Sequence, residues 1–245
     1  MKTRNRYITS HRAVREALRA AQGRVLYVAS RTPVANDLSL IAEQKGIPVR
    51  TVSKNVLRTY DPQARDVALE IADVVEEEAS LDEALHTDNA NAVVLILDHV
   101  EDPRNYGAIL RSADQFGADF VVVPGRRAAP LSAATIEASA GTAQFVRVVT
   151  VSNLASATEG LKEAGFWIYA AAMGGNVAER VNLTGKVALV LGNEGKGVSR
   201  LLRDRADELV SIPRTGRADS LNVSVAAGVL LYEVRRQQGW TLARD

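Results

Sequence analysis

From Ala92 onward the chain alternates between short, wholly apolar runs and longer amphipathic stretches. Val93-Val94-Leu95-Ile96-Leu97 has no polar position, the pattern of a strand covered on both faces. Phe120 to Val123, Phe166 to Ala170 and Val187 to Leu191 repeat it, and Phe145 to Val149 and Leu209 to Ile212 do so with one polar position each, with helical spacing between them. This predicts a mostly parallel sheet with helices on both sides. Upstream, residues 10–22 set Ala13, Val14, Ala17 and Leu18 at helical spacing, and Pro33 opens a second helix running to Lys45. Short strands at Val25 to Ala29, Ile47 to Val52 and Val67 to Ile71 complete a smaller α/β unit. The pattern divides the chain into a small domain over 1–72, an acidic linker over 73–88 and a larger domain over 89–245.

Composition narrows the class. At 245 residues, 47% hydrophobic and 24% charged, the sequence has the profile of a soluble globular protein. No apolar run approaches the roughly 18–20 residues needed to cross a bilayer, and no apolar secretory segment follows the basic start. The absence of cysteine excludes disulfides, thiolate zinc sites and a cysteine nucleophile. Three scattered histidines do not suggest a metal centre. The expectation is a cytoplasmic protein with no membrane segment and no metal. The net charge of +1 conceals an asymmetry: residues 1–31 hold eight cations against Glu16, while residues 61–88 hold ten acids against Arg65. A basic end of this density fits a polyanion, most simply nucleic acid, although a solvated helix face has the same composition.

In parallel sheets ligands bind beyond the carboxyl ends of the strands, and three polar stretches fall there. The first, Asp98 to Arg111, leaves a strand and starts a helix near Asn105. Its Arg111 lies between apolar Leu110 and Ala113 and calls for a partner. The second, Leu191-Gly192-Asn193-Glu194-Gly195-Lys196-Gly197, frees the backbone for close ligand contact. It is not a P-loop, because the glycine five residues after Gly192 is followed by Val198 instead of lysine. No G-x-G-x-x-G follows the first strand of the larger domain, which disfavours a dinucleotide enzyme. The third, Ile212 to Gly228, is a loop running into an apolar helix, with Ser220 and Asn222 at the junction where helical N–H groups are unpaired.

Taken in order, these stretches resemble the three motifs of the SpoU branch of the SPOUT RNA methyltransferases: Asn105 to Arg111, Leu189 to Gly197, and Ile212 to Gly228. The resemblance covers residues 90–238, and the layout is most similar to the enzymes that 2′-O-methylate guanosine in large-subunit (23S) ribosomal RNA. It implies an α/β SPOUT domain whose chain forms a deep trefoil knot, a small N-terminal RNA-binding domain, S-adenosylmethionine as cofactor, and a homodimer. Gly192, Ile212 and Leu221 match the positions whose backbone contacts the cofactor. Asn105, Arg111, Glu194, Ser220 and Asn222 match the catalytic set. The small domain departs from the pattern: Ser10 stands where glycine is common, and Ala64-Arg65-Asp66 where His-Gln-Gly is common.

Methyl transfer from a sulfonium to a ribose hydroxyl is an in-line displacement, so alignment supplies much of the catalysis. The family's favoured base matches Arg111. Bringing an arginine from above ~12 to near ~7 costs roughly 7 kcal/mol, so a bidentate grip on ribose-phosphate is the less costly role, and the proton acceptor stays open. Transfer RNA is the alternative substrate. A non-catalytic RNA-binding protein on the same fold is the alternative class, and loss of Asn105, Arg111, Glu194 or Asn222 would be its mark; all four are present.

Overall fold

A computed structural model of the chain describes residues 7–21, 23–62, 64–71, 81–125, 133–217 and 220–240. In chain order the first half forms β1 (Tyr7–Ile8), α1 (His11–Arg19), β2 (Gly23–Val28), α2 (Pro33–Gln44), β3 (Val49–Thr51), α3 (Lys54–Tyr60), β4 (Val67–Ile71) and α4 (Leu81–Leu85). There follow β5 (Val93–Asp98), α5 (Pro103–Gln115), β6 (Phe120–Pro124), α6 (Ala133–Ala138), β7 (Val148–Val151) and α7 (Leu154–Glu163). The chain ends with β8 (Trp167–Val177), β9 (Val187–Gly192), α8 (Arg200–Arg205), β10 (Glu208–Ser211) and α9 (Val223–Gln238). The first half of the acidic linker, residues 73–80, and the first three cations, Lys2, Arg4 and Arg6, lie outside the described residues. The contacts divide the chain into two compact units, Met1–Glu76 with Pro130–Gln144, and Glu77–Ala129 with Phe145–Asp245. The stretch around α6 thus groups with the small unit, although the sequence reading runs the larger domain unbroken over 89–245.

The small unit is a four-stranded sheet in the order β1-β4-β2-β3, with β2 and β3 parallel and β4 antiparallel to both β1 and β2. Helix α1 starts where Ser10 accepts a hydrogen bond from Ala13 N–H, which satisfies one of the unpaired donors of the first turn. Its apolar stripe, Ala13, Val14, Ala17 and Leu18, is fully buried with Leu26, Leu69 and the α2 residues Ala35 and Leu38. Ile136 of α6 belongs to the same core. The other sheet face carries Tyr7 and Tyr27, which cluster with Tyr60 of α3.

The larger unit is a six-stranded sheet in the order β10-β8-β9-β5-β6-β7, and every pairing is parallel. Strands β5, β6 and β9 are buried at every position, as their unbroken apolar runs require. On one face Val94, Ile96, Phe120 and Val190 pack with Leu154 and Leu161 of α7 and Leu202 of α8. Helices α5 and α9 pack on each other, α5 against β6 and α9 against β9. They run side by side in the same direction. Arg235 of α9 donates to the carbonyls of Phe116 (2.7 Å) and Gly117 at the end of α5, while the first turns of the two helices meet at the site described below.

Three elements differ from the sequence expectation. Phe145 does not open a strand: Thr142–Phe145 is a 3-10 turn, Phe145 is 59% exposed, and β7 begins at Val148. Helix α5 begins at Pro103, because the side chain of Asp102 accepts from the N–H groups of Arg104 and Asn105. Strand β8 runs on past Ala170 to Val177, carrying polar and glycine positions that a buried-strand pattern does not flag.

Candidate active site

The site lies at the carboxyl end of the larger sheet, where three loops converge. Glycine makes the closest approach possible. A Cβ on Gly192, the last residue of β9, would lie 2.0 Å from the backbone of Gly197 and Val198, so the 192–198 loop folds back onto its own strand only without a side chain there. Strand β8 contributes by leaving the ladder. Ala170 pairs with Leu209 and Asn176 with Val210, so residues 171–175 have no ladder pairing with β10. The chain rejoins at Gly175, where a Cβ would meet the Leu209 carbonyl at 2.6 Å. The residues set free here form one wall of a cavity of about 510 Å³, within the range of small-molecule sites. Sequence reading missed this wall; the Gly174-Gly175 pair closing an apolar run was its only signal.

Gly192, Ile212 and Leu221 all line this cavity, as do Glu194 and Ser220. Asn105 and Asn222 join it through hydrogen bonds. Asn222 caps α9, its Oδ1 accepting from Ser224 N–H (2.9 Å) and Oγ (2.6 Å). That contact fixes which way the amide faces, so Asn222 Nδ2 donates outward to Asn105 Oδ1 at 2.9 Å. Asn105 Nδ2 in turn donates to Glu194 Oε1 at 2.8 Å. The three sequence stretches are thus linked by one polar relay that starts at a helix N-terminus and ends on a carboxylate. Because Asp102 takes over the capping of α5, the side chain of Asn105 is free to serve as the middle link.

Beneath the relay, Asp98 ends β5 beside Gly192 in the register and is 3% exposed. Its Oδ2 accepts Ser199 N–H at 2.6 Å and its Oδ1 accepts His99 Nδ1–H at 2.7 Å. Asn193 Nδ2 donates to the His99 carbonyl at 3.0 Å, so the loop after β9 is tied to the loop after β5 at two points. His99 holds φ +60°, a conformation that side chains rarely adopt, and these bonds keep it there. Arg111, half-buried on α5 and expected to have a partner, makes no hydrogen bond or ion pair among the described residues. Ser220 likewise makes none, while Arg214 donates to Met173 Sδ at 3.4 Å across the cavity wall. Among the described residues no group of three or more His, Asp or Glu side chains is placed to hold a metal ion, and no helix is long and apolar enough to cross a membrane.

Residues 92–232 match the SpoU rRNA Methylase family. The 23S rRNA (guanosine-2′-O-)-methyltransferase RlmB of Xanthomonas campestris pv. campestris is 40% identical over 213 residues, covering 85% of this chain and 86% of that protein. Among solved structures, an RNA 2′-O ribose methyltransferase is similar with a TM-score of 0.77 at 27% identity, over 95% of this chain and 89% of that one. The SpoU methyltransferase AviRb from Streptomyces viridochromogenes, in complex with the cofactor AdoMet, is similar with a TM-score of 0.72 at 25% identity, over 94% of this chain and 89% of that one. The chain belongs to the SpoU methylase family of RNA methyltransferases.

Proposed function

We propose that this chain methylates the 2′-hydroxyl of a guanosine ribose in 23S ribosomal RNA, with S-adenosylmethionine as donor. The observation that carries the reading is the Glu194–Asn105–Asn222 relay at a glycine-tight cavity. The relatives' names support the finer parts: RlmB names the guanosine and the RNA, and the AviRb complex names the cofactor.

The cavity suits such a cofactor. Leu191, Val210, Ile212 and Leu230 give it apolar walls, and the backbone at residues 192–198, 212–214 and 220–221 supplies polar groups. When bound, S-adenosylmethionine supplies an electrophilic methyl group on a sulfonium. The chain's own residues supply alignment. Asn105 and Asn222 hold Glu194 in one orientation, and its second oxygen makes no hydrogen bond among the described residues, leaving it for the ribose or its base. Arg111, without a partner among the described residues, takes the ribose-phosphate in a bidentate grip. We also assign the knot and the homodimer implied by the family resemblance to this reading. Support for the dimer is an exposed apolar stripe on α9, Val225, Val229 and Tyr232, at 51%, 41% and 51% exposure.

The test is incubation of the protein with labelled cofactor and undermethylated ribosomal RNA, followed by mapping of the labelled nucleotide. Label on a 23S guanosine ribose supports the reading, whereas label on transfer RNA alone or on a base overturns it. In the same assay Arg111→Ala should lose about 2–5 kcal/mol of transition-state stabilisation. Arg111→Lys, which keeps the charge and loses the planar fork, should be intermediate with an unchanged pH profile. A Lys variant near wild-type rate with a profile shifted to lower pH would make residue 111 the base.

A further inference from the structure

The small unit carries the basic end of the chain, and the structure sorts its cations into two kinds. Along α1, Arg15 is paired with Asp37 at 2.8 Å and Arg19 with Glu16 at 3.0 Å. Arg12, on the same helix, is exposed and has no ion pair or side-chain hydrogen bond among the described residues, and the same is true of Arg31 and Arg65. These three come together through the topology. Strands β1, β2 and β3 end, and β4 begins, at one end of the sheet; Arg31 and Arg65 lie in loops at that end, and Arg12 in the first turn of α1, just after β1.

The loops are pinned by a single buried carboxylate. Asp66, 7% exposed, accepts from His11 Nε2–H at 2.6 Å and from Thr32 Oγ1–H at 2.9 Å, and its carbonyl accepts Ala29 N–H at 2.7 Å. Arg12, Arg31 and Arg65 are the chain neighbours of His11, Thr32 and Asp66. The other carboxylates at this edge are also turned to internal donors: Asp61 accepts from Thr9 Oγ1, and Glu137 of α6 accepts from the N–H groups of Thr9 and Ser10. The acids therefore build the scaffold while the guanidinium groups face solvent. Both departures from the family pattern, Ser10 and Ala64-Arg65-Asp66, fall here.

We propose that this edge, with Arg12, Arg31 and Arg65 as its contacts, is where the small unit binds the phosphate backbone of RNA. Three preplaced guanidinium groups, one on the first turn of α1 and two on separate loops, match successive phosphates, because each makes bidentate contact and reads no base. The inference rests on the RNA reading above and adds the surface.

The unit contains its own control. Lys45, Arg50 and Arg58 are also exposed and unpaired among the described residues, but lie after α2, within β3 and in the last turn of α3, and none is a chain neighbour of a residue bonded through Asp66. In the full chain, the triple variant Arg12→Gln/Arg31→Gln/Arg65→Gln is compared with Lys45→Gln/Arg50→Gln/Arg58→Gln. The two remove the same charge. Binding to transcribed 23S rRNA is followed from 50 to 200 mM salt, and cofactor binding by calorimetry serves as the folding control. The edge triple should lower the slope of log affinity against log salt by about 2–3, and the control triple should leave it near wild type. Equal loss in both variants, or loss in the control alone, overturns the surface while leaving the RNA reading intact. Wild-type protein with no salt-dependent affinity for the transcript overturns both.

Discussion

Each of the two sheets ends in a buried aspartate bonded to a histidine, and the two pairs are used differently. Asp98 and His99 lie 2.7 Å apart at the end of β5; Asp66 and His11 lie 2.6 Å apart just before β4. Asp98 spends its second oxygen on a backbone N–H, that of Ser199, and so fixes main chain beside Gly192. Asp66 spends its second oxygen on a side chain, Thr32, and so joins loops whose next residues are arginines. The same chemical unit shapes a backbone-lined cavity in one unit and a charged edge in the other. Small ligands need fixed donors at short range, whereas a polyanion needs cations that are placed but solvated, and the two carboxylates meet these two requirements.

The sharpest way to break the cavity side of this comparison is at Asp98's neighbour in the sheet. Gly192→Ala puts a methyl group 2.0 Å from the backbone of residues 197 and 198, which can move only by unfolding the loop from β9. Cofactor affinity should fall at least a hundredfold in calorimetry, with the salt dependence of RNA binding unchanged. An alanine variant that binds cofactor normally would show that the tight return of the loop is not what builds the site.

Next in size is a crossed pair of deletions. Asp98→Ala leaves Ser199 N–H unsatisfied and frees His99 from its unusual backbone angle, a cost of about 1–3 kcal/mol concentrated on the loop after β9. Methyl-transfer rate and cofactor affinity should drop while RNA affinity holds. Asp66→Ala should do the reverse, loosening three loops of the small unit and weakening RNA binding while calorimetry still detects cofactor. If both variants lose both properties in equal measure, the division of labour between the aspartates is wrong.

How far the sequence reveals this arrangement depends on the kind of interaction. The buried strands are legible, because β5 up to Leu97, β6 and β9 carry no polar side chain. The meeting of Asn105, Glu194 and Asn222 comes from order and family resemblance. The spacing of 89 residues between the first two contains no local rule that would bring them together. Local chemistry misleads where two residues compete for one role: Asn105 and Asp102 can both cap α5, and the aspartate three residues earlier takes the position. Phe145 is read as strand because it is apolar, yet it closes a 3-10 turn that follows Gly141 at φ +88°. The Asp66 hub is the least legible, since a lone aspartate beside an arginine reads as ordinary loop surface until His11 and Thr32 are seen to converge on it.

The smallest expected effect is electrostatic and separates the two aspartates by acid. Burial pushes the Asp66 carboxyl up, but hydrogen bonds from His11 and Thr32, together with the attraction of His11, outweigh it and hold the group below its ordinary value of 3.8. A carboxyl depressed in the folded state contributes stability that is complete above its unfolded pKa and is lost as pH falls through the folded one. The small unit should therefore weaken between pH 5 and the acid side of 3.8, where Asp66 takes up a proton and releases His11. Hydrogen–deuterium exchange, corrected for intrinsic rates, reads this in β4, with β5 of the larger unit as internal reference. Asp66→Asn removes the titrating group and keeps an acceptor for Thr32, so its β4 should be less protected at pH 7 but less sensitive to acid than wild type. Equal acid sensitivity in the two proteins would mean that another group governs the unit at low pH, and that Asp66 acts through packing alone.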